Sequence, residues 1–153
     1  MLAIGTRAPE FILPDQQARA VSLAELLASG PLILYFYPAD FTAGCTREAC
    51  QIRDLYPQIE ATGTRVAGVS PQSPESHRAF AEKYHLPFTL LADEQLAVAK
   101  LYGVRAPFGF GVRRATFLID HAGIIRNSVR ADLRIGAHAR FVRMTLTGRR
   151  RPD

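Results

Sequence analysis

Leu32-Ile33-Leu34-Tyr35-Phe36-Tyr37 runs directly into Pro38-Ala39-Asp40-Phe41-Thr42-Ala43-Gly44-Cys45. The first six residues are apolar on both faces of an extended chain and lie between Pro31 and Pro38, which cannot donate to a sheet ladder. That pattern predicts a central strand covered by helices on both sides. A helix is expected immediately afterwards, from about Ala43 to Tyr56, ending near Pro57, which removes a backbone donor. Cys45 then stands in the first turn of a helix that follows a buried strand.

Outward from this stretch the same alternation continues. Ser22 with Glu25 three residues later forms a capping box for a short helix stopped by Gly30 and Pro31. Arg65 to Val69 reads as a second buried strand. Ser73 as N-cap with Pro74 at the first helical position opens a helix to about His85. Phe88 to Leu91 is a third strand, and Asp93 caps a helix through Leu101. After a loop from Gly103 to Gly111, Ala115 to Ile119 and Ile124 to Val129 form a hairpin across Asp120-His121-Ala122-Gly123. Gly136 to Leu146 is the final helix. Strands alternating with helices, then a hairpin, indicate an α/β fold with a central mixed sheet flanked by helices. With 153 residues and no repeat or linker, the expectation is one domain over 1–147 and a basic, disordered tail over 148–153.

The net charge of +5 is unevenly placed. Residues 1–125 hold eleven Lys or Arg against twelve Asp or Glu, whereas residues 126–151 hold eight arginines against Asp132. No aromatic platform or reading motif accompanies those arginines, so a solvated helix face and tail is preferred to nucleic-acid binding. The first residues lack a secretory leader pattern and the longest apolar run is far too short to span a bilayer, which predicts a soluble cytoplasmic protein without membrane association. In a reducing compartment the two cysteines, Cys45 and Cys50, call for a catalytic or metal-binding explanation. His77, His85, His121 and His138 lack metal-ligand spacing and are expected at the surface or at caps. No phosphate loop or dinucleotide fingerprint is present, and nothing indicates flavin, heme or nicotinamide, so no cofactor is expected.

At a helix N-terminus, free N–H groups and the macrodipole favour a thiolate at Cys45. Thr42 can place its hydroxyl near the sulfur or cap the helix, and Pro38 can cover the sulfur without a competing N–H. The pattern Pro38, Thr42, Cys45 resembles the active-site pattern of the peroxiredoxins, in particular the bacterioferritin-comigratory or Q-type group. The resemblance extends through Tyr35-Phe36-Tyr37-Pro38, Gly68-Val69-Ser70, Ser73-Pro74-Glu75-Ser76-His77, Leu86-Pro87-Phe88 and Arg114-Ala115-Thr116-Phe117-Leu118-Ile119-Asp120, so it covers Gly5 to about Asp120.

It implies a thioredoxin-like fold, an antioxidant peroxidase activity, a peroxidatic Cys45 and an active-site Arg114. Arg113 and Arg114 face opposite sides of a strand, so only one can point at the helix start, and the family spacing selects Arg114. Cys50 matches the group's local resolving cysteine. Peroxide attack then gives a sulfenic acid at Cys45 that Cys50 condenses to a disulfide, reset by thioredoxin or a similar dithiol. A monomer is expected, because an intramolecular disulfide needs no second subunit. The competing classes are a peroxide-responsive sensor and a binding protein acting through the C-terminal arginines.

Two magnitudes constrain this chemistry. An unperturbed thiol is already about 3% ionised at pH 7, so ionisation alone can accelerate attack by roughly 30-fold at most. Positioning the peroxide and stabilising the leaving oxygen must supply the rest, with Thr42, the backbone at Gly44 and Cys45, and Arg114 as candidates. Residues five apart on an intact helix have Cα atoms roughly 8.6 Å apart, beyond the about 7 Å a disulfide tolerates. The helix must therefore open between residues 44 and 53 for Cys45 to reach Cys50. Phe108 and Phe110 are expected either to present phenyl groups near the pocket mouth or to belong to a structural loop, and Glu48 to lie on the helix surface, with a polar contact near the site as the alternative.

Overall fold

The computed structural model describes residues 1–107, 111–130 and 135–146, without the side chains of Ile135 and Leu146. Its elements run β1 (Ile12–Pro14), β2 (Ala20–Ser22), α1 (Leu23–Leu27), β3 (Leu32–Phe36), α2 (Ala43–Ala61), β4 (Arg65–Ser70), α3 (Pro74–Tyr84), β5 (Thr89–Ala92), α4 (Ala97–Leu101), β6 (Ala115–Ile119), β7 (Ile125–Arg130) and α5 (Ile135–Leu146). The expected phenyl loop at Phe108 and Phe110 and the tail over 148–153 lie outside the described residues.

β3 is the middle of a five-stranded sheet ordered β5-β4-β3-β6-β7, parallel to β4 and antiparallel to β6. Its two faces bury two separate clusters. Leu32, Leu34 and Phe36 pack with Leu23, Leu26, Tyr102 and Phe117 on the side of α1 and α4. Ile33, Tyr35 and Tyr37 pack with Cys45, Ile52, Phe80 and Phe141 on the side of α2, α3 and α5. All six residues from Leu32 to Tyr37 are at most 1% exposed, which is why the sequence shows no polar alternation there. Opposite Tyr35 the neighbouring strand carries Gly68, where a Cβ would come within 2.8 Å of the tyrosine ring. That glycine makes room for an aromatic ring beneath the cysteine side of the sheet.

Two expectations need correction. The short β1–β2 hairpin is additional to the reading from sequence, because three-residue strands are too short to show a period. α2 does not stop at Pro57 but continues through it to Ala61. An interior proline costs about 3 kcal/mol, yet fully burying one aliphatic side chain returns about 1.5–3 kcal/mol, and beyond the proline Ile59 is completely buried. The stop is set instead by Gly63, in the left-handed conformation at φ 76°. Asp93 serves α4 from a turn away, accepting from the N–H groups of Val98 and Ala99 at 3.2 and 2.8 Å. Among the described residues no helix is long and apolar enough to cross a membrane.

Candidate active site

Antiparallel pairing sets up the site. Phe36, at the end of β3, lies opposite Ala115, at the start of β6. The loop leaving β3 and the residue entering β6 therefore meet at one end of the sheet, and these are the segment 38–42 and Arg114. Side-chain parity does the rest. Ala115, Phe117 and Ile119 belong to the cluster under α1 and α4, while Leu118 packs in the other, so Arg114 shares the face of α2. Arg113, the residue before it, donates its backbone N–H to the Val104 carbonyl at 2.7 Å.

Cys45 is the third residue of α2 and 1% exposed. The first hydrogen bond of the helix ladder here runs from the Thr46 N–H to the Thr42 carbonyl at 2.9 Å. The Cys45 N–H is thus one of the first-turn donors that an α-helix leaves without an internal acceptor. One guanidinium nitrogen of Arg114, Nη2, donates to Cys45 Sγ at 3.2 Å, and the other, Nη1, donates to Glu48 Oε1 at 2.8 Å. Glu48 is 1% exposed, one helical turn beyond Cys45, and so faces Arg114 rather than the surface expected from sequence.

Burial pushes Glu48 up to about 7, despite the opposing pull of Arg114. Burial works against the charge on Arg114 as well, but Glu48 and the Cys45 sulfur more than offset it and keep the guanidinium protonated. His138, delivered by α5 and completely buried, closes the group: its Nδ1 is 2.8 Å from Thr116 Oγ1 and 3.6 Å from Glu48 Oε2.

The remaining expected residues are placed less directly. Thr42 is the N-cap of α2, but its exposed hydroxyl donates to the Ala39 carbonyl at 3.0 Å instead of capping the helix. Pro38 is exposed directly after the strand. Cys50 is half-buried on the same helix, and both thiols are free. His77 is completely buried, not at the surface, and together with Ser76 and Tyr37 it binds Asp40. Sequence reasoning passed over Asp40, set His77 and His138 at the surface or at caps, and gave Glu48 to the helix surface with a polar contact near the site only as the alternative. The position of Glu48, three residues after the cysteine on a helix face that must be buried, was the available clue to one of them.

A helix-terminal thiol held by an arginine from the antiparallel neighbour of the preceding strand defines a thiol-chemistry protein built on a mixed α/β sheet. Residues 4–128 match the AhpC/TSA family. The chain belongs to that family, in its peroxiredoxin Q and bacterioferritin comigratory branch, with a thioredoxin-like fold.

Coxiella burnetii putative peroxiredoxin bcp is 41% identical over 143 residues, covering 90% of this chain and 93% of that one. Chloroplastic peroxiredoxin Q of Sedum lineare is 46% identical over 123 residues, 80% of this chain. The chain spans 66% of that plant relative and 57% of the one from Populus jackii. Peroxidoxin BcpB of Mycobacterium tuberculosis superposes with a TM-score of 0.91 at 34% identity, over 99% of this chain and 100% of that one. The bacterioferritin comigratory protein of Xanthomonas campestris, studied for its alkyl peroxide reduction activity in a trapped intermediate, superposes at 0.82 with 28% identity, over 90% of each chain.

Proposed function

We propose that the chain is a thiol-dependent peroxidase for hydrogen peroxide and organic hydroperoxides, with Cys45 as the peroxidatic residue and Cys50 as the resolving one. The observation that carries this reading is the Arg114 Nη2 to Cys45 Sγ hydrogen bond of 3.2 Å at the N-terminus of α2. A fixed cation there stabilises sulfur as an anion and stabilises the negative charge that develops as the peroxide bond breaks. Cys45 sulfur attacks one peroxide oxygen, the O–O bond breaks, and water or an alcohol leaves with a proton. Cys45 becomes the sulfenic acid. Thr42 and the backbone at Gly44 and Cys45 orient the peroxide, and Pro38 shields the approach to the sulfur.

Cys50 then displaces water from the sulfenic acid, and a disulfide forms. Because both cysteines lie within α2, their Cα atoms are roughly 8.6 Å apart on an intact helix, and the segment 44–53 must open first. A dithiol such as thioredoxin returns two electrons and restores both thiols. That cycle suits a monomer in a reducing compartment such as the cytoplasm, as befits a bacterial bcp relative, although the plant relatives are chloroplastic.

Peroxide-dependent NADPH consumption in the presence of thioredoxin and its reductase tests the proposal. Rapid multiple turnover supports an enzyme. One slow oxidation per molecule would instead make the chain a peroxide sensor, and no oxidation of Cys45 would overturn the reading.

A further inference from the structure

Asp40 lies in the loop between β3 and α2 and is 5% exposed. Its carboxylate meets three side-chain partners. Tyr37 Oη donates to Oδ1 at 2.7 Å, Ser76 Oγ donates to Oδ2 at 2.8 Å, and His77 Nδ1 is 2.7 Å from Oδ2. Burial, with Tyr35 and Asp40 adding to it, holds the Tyr37 phenol in its protonated donor form. The other ring nitrogen of His77, Nε2, is 3.0 Å from the Leu91 carbonyl in β5. A carbonyl only accepts, so Nε2 carries a hydrogen, and one proton lies between Nδ1 and Oδ2.

The same loop holds Phe41 at φ 63°, a left-handed backbone that a residue with a side chain rarely adopts. Its ring meets Phe80 of α3 edge-on at 5.2 Å, with Lys83 Nζ 5.8 Å from the ring centre. Unfavourable backbone conformations persist where the surroundings over-determine them. Here α3 grips two consecutive loop residues, one through hydrogen bonds and the other through an aromatic contact.

Resting on the peroxidase reading above, we infer that Asp40 is a positioning residue: clamped by Ser76 and His77 of α3, it fixes the 38–42 loop and thereby the first turn of α2 against which peroxide is held. It acts through the loop, by bond geometry, and not by its charge. This separates Asp40 from Arg114, whose role is charge at the sulfur. It also divides the site into a half that stays still and a half, α2 itself, that opens during disulfide formation.

The test compares Asp40→Ala with Asp40→Asn. Asparagine keeps the shape and leaves a consistent set of bonds: its carbonyl accepts from Tyr37, its amide donates to an unprotonated Nδ1, and the Ser76 hydroxyl turns to accept. Alanine removes all three.

In reduced protein without peroxide, amide exchange at residues 40–43 is expected to accelerate in Asp40→Ala and to stay near wild type in Asp40→Asn. In rapid mixing, the second-order rate constant for Cys45 oxidation is expected to fall about tenfold or more in Asp40→Ala, since a displacement of about 1 Å can cost as much as 100-fold. Asp40→Asn is expected within about threefold of wild type on the same scale. The later condensation with Cys50 should proceed at the wild-type rate in both, whereas general loosening of the fold would speed it.

If Asp40→Ala does not fold, His77→Phe takes its place, removing both ring bonds at similar volume with the same expectations. A folded Asp40→Ala or His77→Phe with wild-type exchange and peroxide rate overturns the inference. So does an Asp40→Asn protein as slow as Asp40→Ala, which would assign the effect to charge. Absence of Cys45 oxidation in the wild type would sink the peroxidase reading alone, since the exchange measurement still judges the clamp.

Discussion

Asp40 and Glu48 are buried carboxylates on the two sides of Cys45 in the chain, and their surroundings differ in one respect that matters. Asp40, on the loop side, is surrounded by Tyr37, Ser76 and His77. Glu48, on the helix side, has Arg114 on Oε1, while Oε2 has no hydrogen-bond partner among the described residues and only His138 at 3.6 Å. A single cation does not compensate Glu48 for lost water, so burial wins and the group sits near neutrality. Two buried carboxylates on one stretch of chain therefore differ in how many donors their neighbours supply. The difference also fits the work of the two sides. The loop side is cross-linked to α3 and β5, whereas the helix side is the part that opens in the proposed Cys45–Cys50 disulfide step.

The largest effect that could break this contrast concerns the cysteines. Cys45→Ser is expected to abolish peroxide reduction, because a serine hydroxyl is a very weak nucleophile at neutral pH. Cys50→Ser should still undergo the first oxidation and lose ordinary turnover. Rapid mixing followed by mass spectrometry checks both, and an unreacted Cys45 in the Cys50→Ser protein would contradict the division of roles.

Next comes the residue that binds both Cys45 and Glu48. Arg114→Ala removes a preorganised charged donor, a change that typically costs about 100-fold or more, while Arg113→Ala, on the opposite face, should leave the peroxide step nearly unchanged. Equal losses in second-order rate constant would deny any special place to Arg114.

The mobility of the helix side can be sharpened by redox state. Oxidised protein is expected to show less helix by circular dichroism and faster amide exchange over residues 44–53 than reduced protein, with residues 38–42 little changed. Identical exchange in both states, with the disulfide confirmed by mass, would show that α2 does not open.

The smallest effect concerns the pH dependence of stability. Glu48 is held at about 7 in the folded chain, against 4.5 for the ordinary group. Between those values the folded state keeps a proton that the unfolded chain has released, so stability falls as pH rises through this window, by roughly 3 kcal/mol at most. Glu48→Gln should flatten that decline, read from urea unfolding at pH 5 and pH 8. An unchanged slope would mean that Glu48 is not the titrating group.

The strand Leu32–Phe36 could be read from its continuous apolar run because both faces are buried, and α3 could be read from Ser73 and Pro74 because capping is local chemistry. The same holds for the first turn of α2, where strand, loop and cysteine are adjacent in the chain. Sequence parity also placed Arg114 and Arg113 on opposite faces, though it needed a resemblance to say which one met the cysteine. Pro57 misled the reading because a local penalty is visible in the sequence, whereas the burial of Ile59 that outweighs it is a property of the packed sheet. Asp40 and His77 are 37 positions apart, and Arg114 and Glu48 are 66 apart. Neither pairing follows from spacing: the first is created by the strand order β5-β4-β3, which sets α3 beside the loop after β3, and the second by the register between β3 and β6. What the sequence determined by itself is what neighbouring residues do to one another: the buried strand, the caps and the thiol at a helix start. Which charges meet that thiol, and which carboxylate is saturated, only the tertiary structure decided, because desolvation and donor count depend on groups brought together from distant parts of the chain.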